Sequence, residues 1–372
     1  MKKHILFILH LPPPVHGAAM VGKYIHDSDL INAQFDCHYV NLAIASSLED
    51  IGKVGVKKFW HFIQLLCTIK KEVKQVKPDL VYITPNAKGG AFYKEWIIVM
   101  MLKMMDCRIV AHYHNKGVSE RQNRWLDNWL YRRFFKNLKV ILLADALYPD
   151  IQTYVERKDV YICPNGIPVT DDVKKFKASR KDNDVPRLLF LSNLLIDKGV
   201  LVLLDALRIL KDEGHPFVCD FVGGETADID AKRFEEEVKR RGLNDFAVYK
   251  GKKYGTDKAE EFESADIFVL PSFNEAFPLV NLEAMSYGLP IVSTNVGGVT
   301  EAIRDGENGL ICDVNNPDSL ARSIEALLND EGLRQRMGEK GYHMFKVRFT
   351  EEAFLNRISD ALSDVAGVGN KE

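Results

Sequence analysis

No Cys-x-x-Cys pair occurs in this sequence, and its six cysteines (Cys37, Cys67, Cys107, Cys163, Cys219 and Cys312) are widely spaced. That scatter argues against a disulfide framework and fits reduced, buried thiols in a cytosolic protein. Long apolar runs are also missing. The run Trp96 to Met105 contains Lys103 and falls far below the ~20 residues of a membrane span. The opening MKKHILFILHLPPP is interrupted by His4 and His10 and closed by prolines, so it reads as a first β-strand rather than a signal peptide. There is no G-x-G-x-x-G fingerprint, and hydride chemistry therefore lacks its usual signature. Neither internal repeats nor low-complexity tracts stand out, so disorder is expected only at the ends and in one linker.

What is present is enough chain for two cores. At 372 residues the length exceeds the roughly 250–300 at which one core stops growing. The net charge of −2 hides an asymmetry: residues 1–180 carry 27 Lys and Arg against 17 Asp and Glu, and the remainder carries 23 against 35. Opposite signs on the halves support a boundary between them and an anionic partner for the first. Short apolar runs alternate with longer helical patterns. They are Ile5–Leu9, Cys37–Asn41, Leu80–Thr84, Arg108–Tyr113, Val140–Leu143 and Val160–Cys163, then Arg187–Leu191, Val218–Val222, Ala247–Lys250, Ile267–Leu270, Ile291–Thr294 and Leu310–Cys312. Such runs are what parallel sheets covered on both faces produce, so the fold class is α/β with two Rossmann-like domains. The charged, aperiodic stretch DDVKKFKASRKDNDVP (171–186) is the expected linker. The domains then cover 1–175 and 186–345, and a helix within 346–372, capped at Thr350, is expected to return to the first.

In open α/β sheets ligands collect beyond the carboxyl ends of the strands. The loop after Ile267–Leu270 reads PSFNEAFPLVNLEAMSYGLP (271–290). A helix from Leu279, with Pro278 near its first turn, would offer free amides and a positive dipole end to a diphosphate. Glu275 lies before that helix and Glu283 about one turn inside it. Ionised carboxylates there could accept from sugar and ribose hydroxyls. Two surface glutamates on an amphipathic helix would give the same pattern.

The segment E-AFPLVNL-E resembles the E-x7-E signature of glycosyltransferase family 4, retaining nucleotide-sugar enzymes of the GT-B fold. It is followed at the family's spacing by YGLPIVSTNVGGVTEAI and DGENGLIC. The likeness is strong from about Leu188 to Cys312 and loose before that. It implies two facing Rossmann-like domains, with the donor nucleotide on the second and the acceptor on the first. By the same resemblance, Glu275 contacts the donor sugar, Glu283 holds the ribose, and the amides of Phe277 and Leu279 approach sugar or phosphate. Lys198 in SNLLIDKGV (192–200) neutralises the diphosphate. Asn193 stands where the family pattern usually has an arginine, a departure that removes a cation unless another base substitutes. Gly223 in FVGGE (221–225) matches a glycine turn, and Lys250 in YKGKKY (249–254) falls in the loop beside the nucleobase.

In the first half, Gly17 in LPPPVHGAAM (11–20) resembles the family's first glycine loop, and His114 in AHYHNKG (111–117) matches a histidine placed to contact the donor sugar. His112, two residues away, would point to the same face as His114 if the strand persists that far. The pair could ligate a metal, but no third ligand accompanies it, and His112 alone reads as a core histidine. No metal or other cofactor is expected. The stretches KKFWHFIQLLCTIKKEVKQVK (57–77) and RQNRWLDNWLYRRFFKNLK (121–139) are basic and amphipathic. Either could lie on an anionic membrane or bind a lipid-linked acceptor, and either could simply pack its apolar stripe on the sheet. Nucleic acid lacks a recognition motif here. The expected reaction is retaining glycosyl transfer from a UDP- or GDP-linked sugar to a saccharide or lipid-linked acceptor. It would serve cell-surface polysaccharide or glycolipid synthesis in the cytoplasm, as a soluble or peripheral membrane protein. A nucleotide-sugar epimerase, a phosphorylase lacking an identifiable phosphate pocket, and a non-catalytic nucleotide-sugar binder are the alternatives.

Overall fold

The computed structural model describes residues 2–13, 16–42, 56–169 and 185–368. The expected linker at 171–186 lies almost wholly outside the described residues. Each of the twelve apolar runs forms a strand. In the first unit these are β1 (His4–Leu9), β2 (Asp36–Asn41), β3 (Leu80–Ile83), β4 (Ile109–His112), β5 (Lys139–Leu142) and β6 (Val160–Ile162). They make one parallel sheet in the order β2-β1-β3-β4-β5-β6. In the second, β7 (Arg187–Leu191), β8 (Val218–Val222), β9 (Ala247–Tyr249), β10 (Ile267–Leu270), β11 (Ile291–Thr294) and β12 (Gly309–Cys312) run β12-β11-β10-β7-β8-β9, again parallel. The central strands are apolar on both faces because helices cover both. Every residue of β3, β4, β10 and β11 is buried.

Helices α1 (Gly17–His26), α2 (Asp29–Gln34), α3 (Val56–Val76), α4 (Gly89–Met104) and α5 (Trp125–Phe135) connect the first sheet. The second carries α6 (Val200–Asp212), α7 (Ala231–Arg240), α8 (Gly255–Ser264), α9 (Leu279–Ser286), α10 (Val299–Ala302), α11 (Pro317–Asn329) and α12 (Glu331–Arg348). The last helix, α13 (Glu351–Ala366), packs on α1 and α2. Its Ser359 and Ser363 bond to Gln34, the Val365 carbonyl accepts from Arg108 at 2.8 Å, and Asp364 accepts from the Tyr161 hydroxyl.

The chain therefore divides into one unit of Met1–Gly166 with Glu351–Glu372, and another of Ile167–Thr350. The first crossing comes earlier than residue 175. Just past Gly166, Ile167 bridges Thr350 and donates to the Phe349 carbonyl at 3.0 Å, which ties it to the second unit. The second crossing falls after Thr350 rather than at 345, because α12 continues unbroken to Arg348.

Strand order fixes where each sheet can bind. In the second unit the connections from β7 run outward through β8 and β9, then return to β10 and continue the other way. The loops after β7 and β10 thus part at a topological switch point, where open sheets leave a crevice. In the first unit the switch lies between β1 and β3.

Candidate functional site

The two loops at the second unit's switch point hold the strongest residues. Lys198, at the end of the loop after β7, places its Nζ 2.5 Å from Oε1 of Glu275, in the loop after β10. The same carboxylate oxygen accepts from the Ser272 hydroxyl at 2.9 Å. Glu275 is only 10% exposed at its side chain and Lys198 24%, so the charges pair in a partly dried site. The backbone holds them together. Phe273 N–H donates to the Asp197 carbonyl at 2.8 Å. Gly199 has φ +79°, and a β-carbon there would lie 2.1 Å from the Pro271 carbonyl oxygen, so only glycine lets the loops touch.

A third segment braces Glu275 from beneath. Gly298 N–H donates to the Ala276 carbonyl at 2.7 Å. A β-carbon on Gly297, at φ +54°, would sit 1.9 Å from the Glu275 carbonyl oxygen. Buried Thr294 reaches the Ser272 carbonyl with its hydroxyl, and Ser293 bonds the Leu270 carbonyl at 2.8 Å. Sequence reasoning quoted NVGGV without giving Gly297, Gly298 or Ser272 a role. The paired glycines were the available signal.

Beyond Glu275 the chain passes buried Phe277, whose ring lies 6.0 Å from that of Phe349, and Pro278 begins α9 without a side-chain cap. The first amides of α9, at Leu279 and Val280, therefore lack intrahelical acceptors, while Asn281 N–H donates to the Pro278 carbonyl at 3.2 Å. Glu283 does not stand free on this helix. Lys258 of α8 reaches both its carboxylate oxygens, at 2.6 and 2.7 Å. Lys258 was not singled out in the sequence, because GTDKAEEFES reads as an ordinary charged surface helix.

Asn193 has a local job. Its Oδ1 accepts from Gly224 N–H at 3.2 Å, and Leu194 N–H donates to the Gly224 carbonyl at 2.9 Å. Gly223 is required beside it, since a β-carbon would fall 1.8 Å from the Ser192 carbonyl oxygen. The Lys250 ammonium is committed away from a ligand. It pairs with buried Asp220 at 3.1 Å and buried Glu261 at 2.8 Å. Lys253 takes the other oxygen of Glu261, and the two lysines hold that carboxyl below the usual range against its burial. Lys252, between them, runs past Gly224 and stacks its ammonium 5.2 Å from the Tyr254 ring. Among the described residues it has no acidic partner.

Gly17 and His114 belong to the first unit. Gly17 opens α1, and the preceding His16 caps it, its Nδ1 accepting from Ala19 N–H at 3.3 Å. His112 is fully buried at the end of β4 and pairs its Nδ1 with the Tyr82 hydroxyl at 2.6 Å, as a core histidine does. His114 stacks on it at 4.1 Å. Both ring nitrogens of His114 are shut off from solvent and lack a partner among the described residues. Burial, then repulsion from His10 and His16, lowers its pKa to about 3. Burial and His16 lower that of His10 to about 4. These rings are neutral donors and acceptors at physiological pH, suited to sugar hydroxyls rather than to ion pairing.

Residues 171–344 match the family described as glycosyl transferases group 1. The chain is similar to that family over this segment, slightly less than half of its length. A curated relative, the D-inositol 3-phosphate glycosyltransferase of Paenarthrobacter aurescens (strain TC1), is 32% identical over 205 residues, covering 52% of this chain and 49% of the relative. The chain thus spans about half the length of this relative. Among solved structures, sucrose-phosphate synthase from Thermosynechococcus elongatus aligns over 99% of this chain and 100% of its own at a TM-score of 0.76 and 18% identity. Anabaena Alr3699/HepE in complex with UDP-glucose aligns over 97% and 100% at 0.72 and 17%. At such identities the likeness is one of fold. The chain shares the two-domain α/β fold of these structures.

Proposed function

We propose that this chain moves a sugar from a nucleotide diphosphate donor, UDP- or GDP-linked, to a saccharide or lipid-linked acceptor with retention at the anomeric carbon. Its place would be cell-surface polysaccharide or glycolipid synthesis on the cytoplasmic side. The observation that carries the reading is the Lys198–Glu275 pair at the second unit's switch point, beside the uncapped start of α9. A cation and free helix amides suit a diphosphate, and the carboxylate beside them suits a sugar hydroxyl. HepE, which shares the fold, was solved with UDP-glucose.

In the proposed reaction the acceptor hydroxyl bonds to the anomeric carbon on the face from which the diphosphate leaves. The bond from that carbon to the β-phosphate oxygen breaks, and the departing oxygen takes the acceptor proton. Lys198 and the α9 amides stabilise the charge that grows there. Glu275 orients the sugar, and Glu283 binds the ribose hydroxyls, with Lys258 holding its carboxylate in place. Lys252 beside the Gly223–Gly224 turn supplies the cation that Asn193 does not. These roles are met by side chains and helix amides, so the proposal requires no metal.

Glu283→Ala is expected to weaken donor binding about tenfold or more, the scale of a lost charge-assisted bond. Glu275→Ala should chiefly lower turnover. Calorimetry with UDP- and GDP-sugars, combined with single-turnover rates, tests both. Wild-type behaviour in the two variants would sink the assignment.

A further inference from the structure

Helix α4 is apolar on nearly every side, a composition suited to a helix covered all round. Yet Tyr93, Ile97 and Met104 stand on the surface, Met104 at 78% exposure. Helix α5 beside it adds Trp125, at 81%, with Leu126 and Trp129. The two helices form one firm surface. Trp96 stacks on Trp129 at 6.1 Å, and its indole N–H donates to the Leu130 carbonyl at 3.0 Å. Lys103 donates to the Arg133, Phe134 and Lys136 carbonyls at 2.6–2.7 Å, satisfying the carboxyl end of α5.

The rim of this apolar face beside the indoles is basic. Arg121, Arg124, Arg132, Arg133 and Lys136 make no ion pair among the described residues, and the Arg133 guanidinium lies 3.7 Å over the Trp129 ring. Two nearby acids are spent, and exposed Asp106 lies at the far end of α4, past Met104. Asp127 is buried and accepts from the Tyr93 hydroxyl at 2.7 Å, and Glu120 pairs with Lys88.

We infer that the outer face of α4 and α5 docks on an anionic lipid bilayer. Indole and phenol rings with arginines around them match the headgroup level, where aromatic bodies sit in the apolar boundary and guanidinium groups meet phosphates. The face projects its indoles outward rather than lining a groove, which suits a deformable surface better than a folded partner. A second copy on a two-fold axis would set one arginine cluster against its twin, which is unfavourable. The aromatic residues gather on the first two turns of α4 and α5, which begin beyond the carboxyl ends of β3 and β4. That is the edge of the sheet where His114 lies. On the transferase reading, a docked first unit then meets its acceptor from the bilayer, and the acceptor is lipid-linked.

The test is co-sedimentation of the full chain with phosphatidylcholine vesicles and with vesicles that also contain phosphatidylglycerol, at low and high salt. Binding is expected to the anionic vesicles only and to weaken with salt. Arg121→Glu with Arg124→Glu should weaken it by at least about tenfold. Trp125→Ser should weaken it several-fold with an unchanged melting temperature and an unchanged donor-induced thermal shift. Absent binding, or variants that bind as the wild type does, overturns the proposal. So does a concentration-dependent dimer that Trp125→Ser abolishes, since the face would then belong to a second copy. Intact vesicle binding with no thermal shift from any nucleotide sugar sinks the transferase reading and the lipid-linked acceptor while leaving the docking face standing.

Discussion

Gly255 and Gly297 both hold left-handed backbone, at φ +53° and +54°, but their surroundings differ. A β-carbon on Gly255 meets open space, whereas one on Gly297 meets the Glu275 carbonyl oxygen at 1.9 Å. Gly255→Ala should therefore cost only the backbone strain of about 1 kcal/mol. Gly297→Ala should cost several times that, or displace Glu275 and abolish turnover. Melting curves and single-turnover rates on the two variants check the contrast, and equal behaviour would contradict the bracing role given to Gly297. At this scale Glu275, Glu283 and Lys198 were singled out through the resemblance to the E-x7-E pattern and its surroundings, and the structure pairs Lys198 with Glu275. The partners were not legible. Nothing local to α8 marks Lys258 as the residue that meets Glu283, and nothing in YKGKKY shows that Lys250 serves Asp220 and Glu261 while Lys252 stays at the turn. Those pairings arise only when distant segments pack.

Among the elements, the strands were the clearest because both faces of each central one are buried, so an apolar run of four or five residues suffices to mark it. Their ends shifted by a residue or so: β4 stops at His112 rather than Tyr113, and β9 at Tyr249 rather than Lys250. The return of α13 to the first unit was expected from the sequence, but its partners were not. Its contribution now has named contacts. Phe354 is fully buried, with its ring 6.5 Å from His112. Phe354→Ala should cost about 3–5 kcal/mol and lower the unfolding transition of the first unit alone. Calorimetry of the variant would show it, and a shift confined to the second unit would contradict the assignment of α13. Helix α4 was the least legible, since an all-round apolar sequence says that something covers the helix without saying what.

The molecule as a whole should respond to acid through its first unit. His10 and His114 titrate near 4 and 3 in the folded chain, and burial keeps His112 well below the usual value of 6.5. Above about pH 6.5 folded and unfolded rings are alike neutral. Below it the unfolded chain takes protons that the folded rings refuse. Each ring therefore loses about 1.4 kcal/mol of stability per pH unit until its folded pKa is reached. Glu95 opposes them: burial raises it to about 7, so between that value and 4.5 the folded carboxyl keeps a proton the unfolded one releases. Three rings outweigh one carboxyl, and the first unit's transition should fall by several degrees between pH 7 and pH 5. Calorimetry across that range checks the sign, and Glu95→Gln should steepen the fall. A flat profile would contradict the burial of the rings.

The chain enters the first unit, leaves it after Gly166 and re-enters at Glu351. On the ribosome, residues 1–166 emerge first but lack the helix that covers α1 and α2. The second unit, contiguous in sequence, can close before them. The amino-terminal unit must therefore wait for nearly the whole chain, with part of one face uncovered, and a pause or cleavage before Phe354 would strand it incomplete. The usual order of synthesis, in which the amino-terminal domain folds first, cannot run to completion here until α13 has emerged.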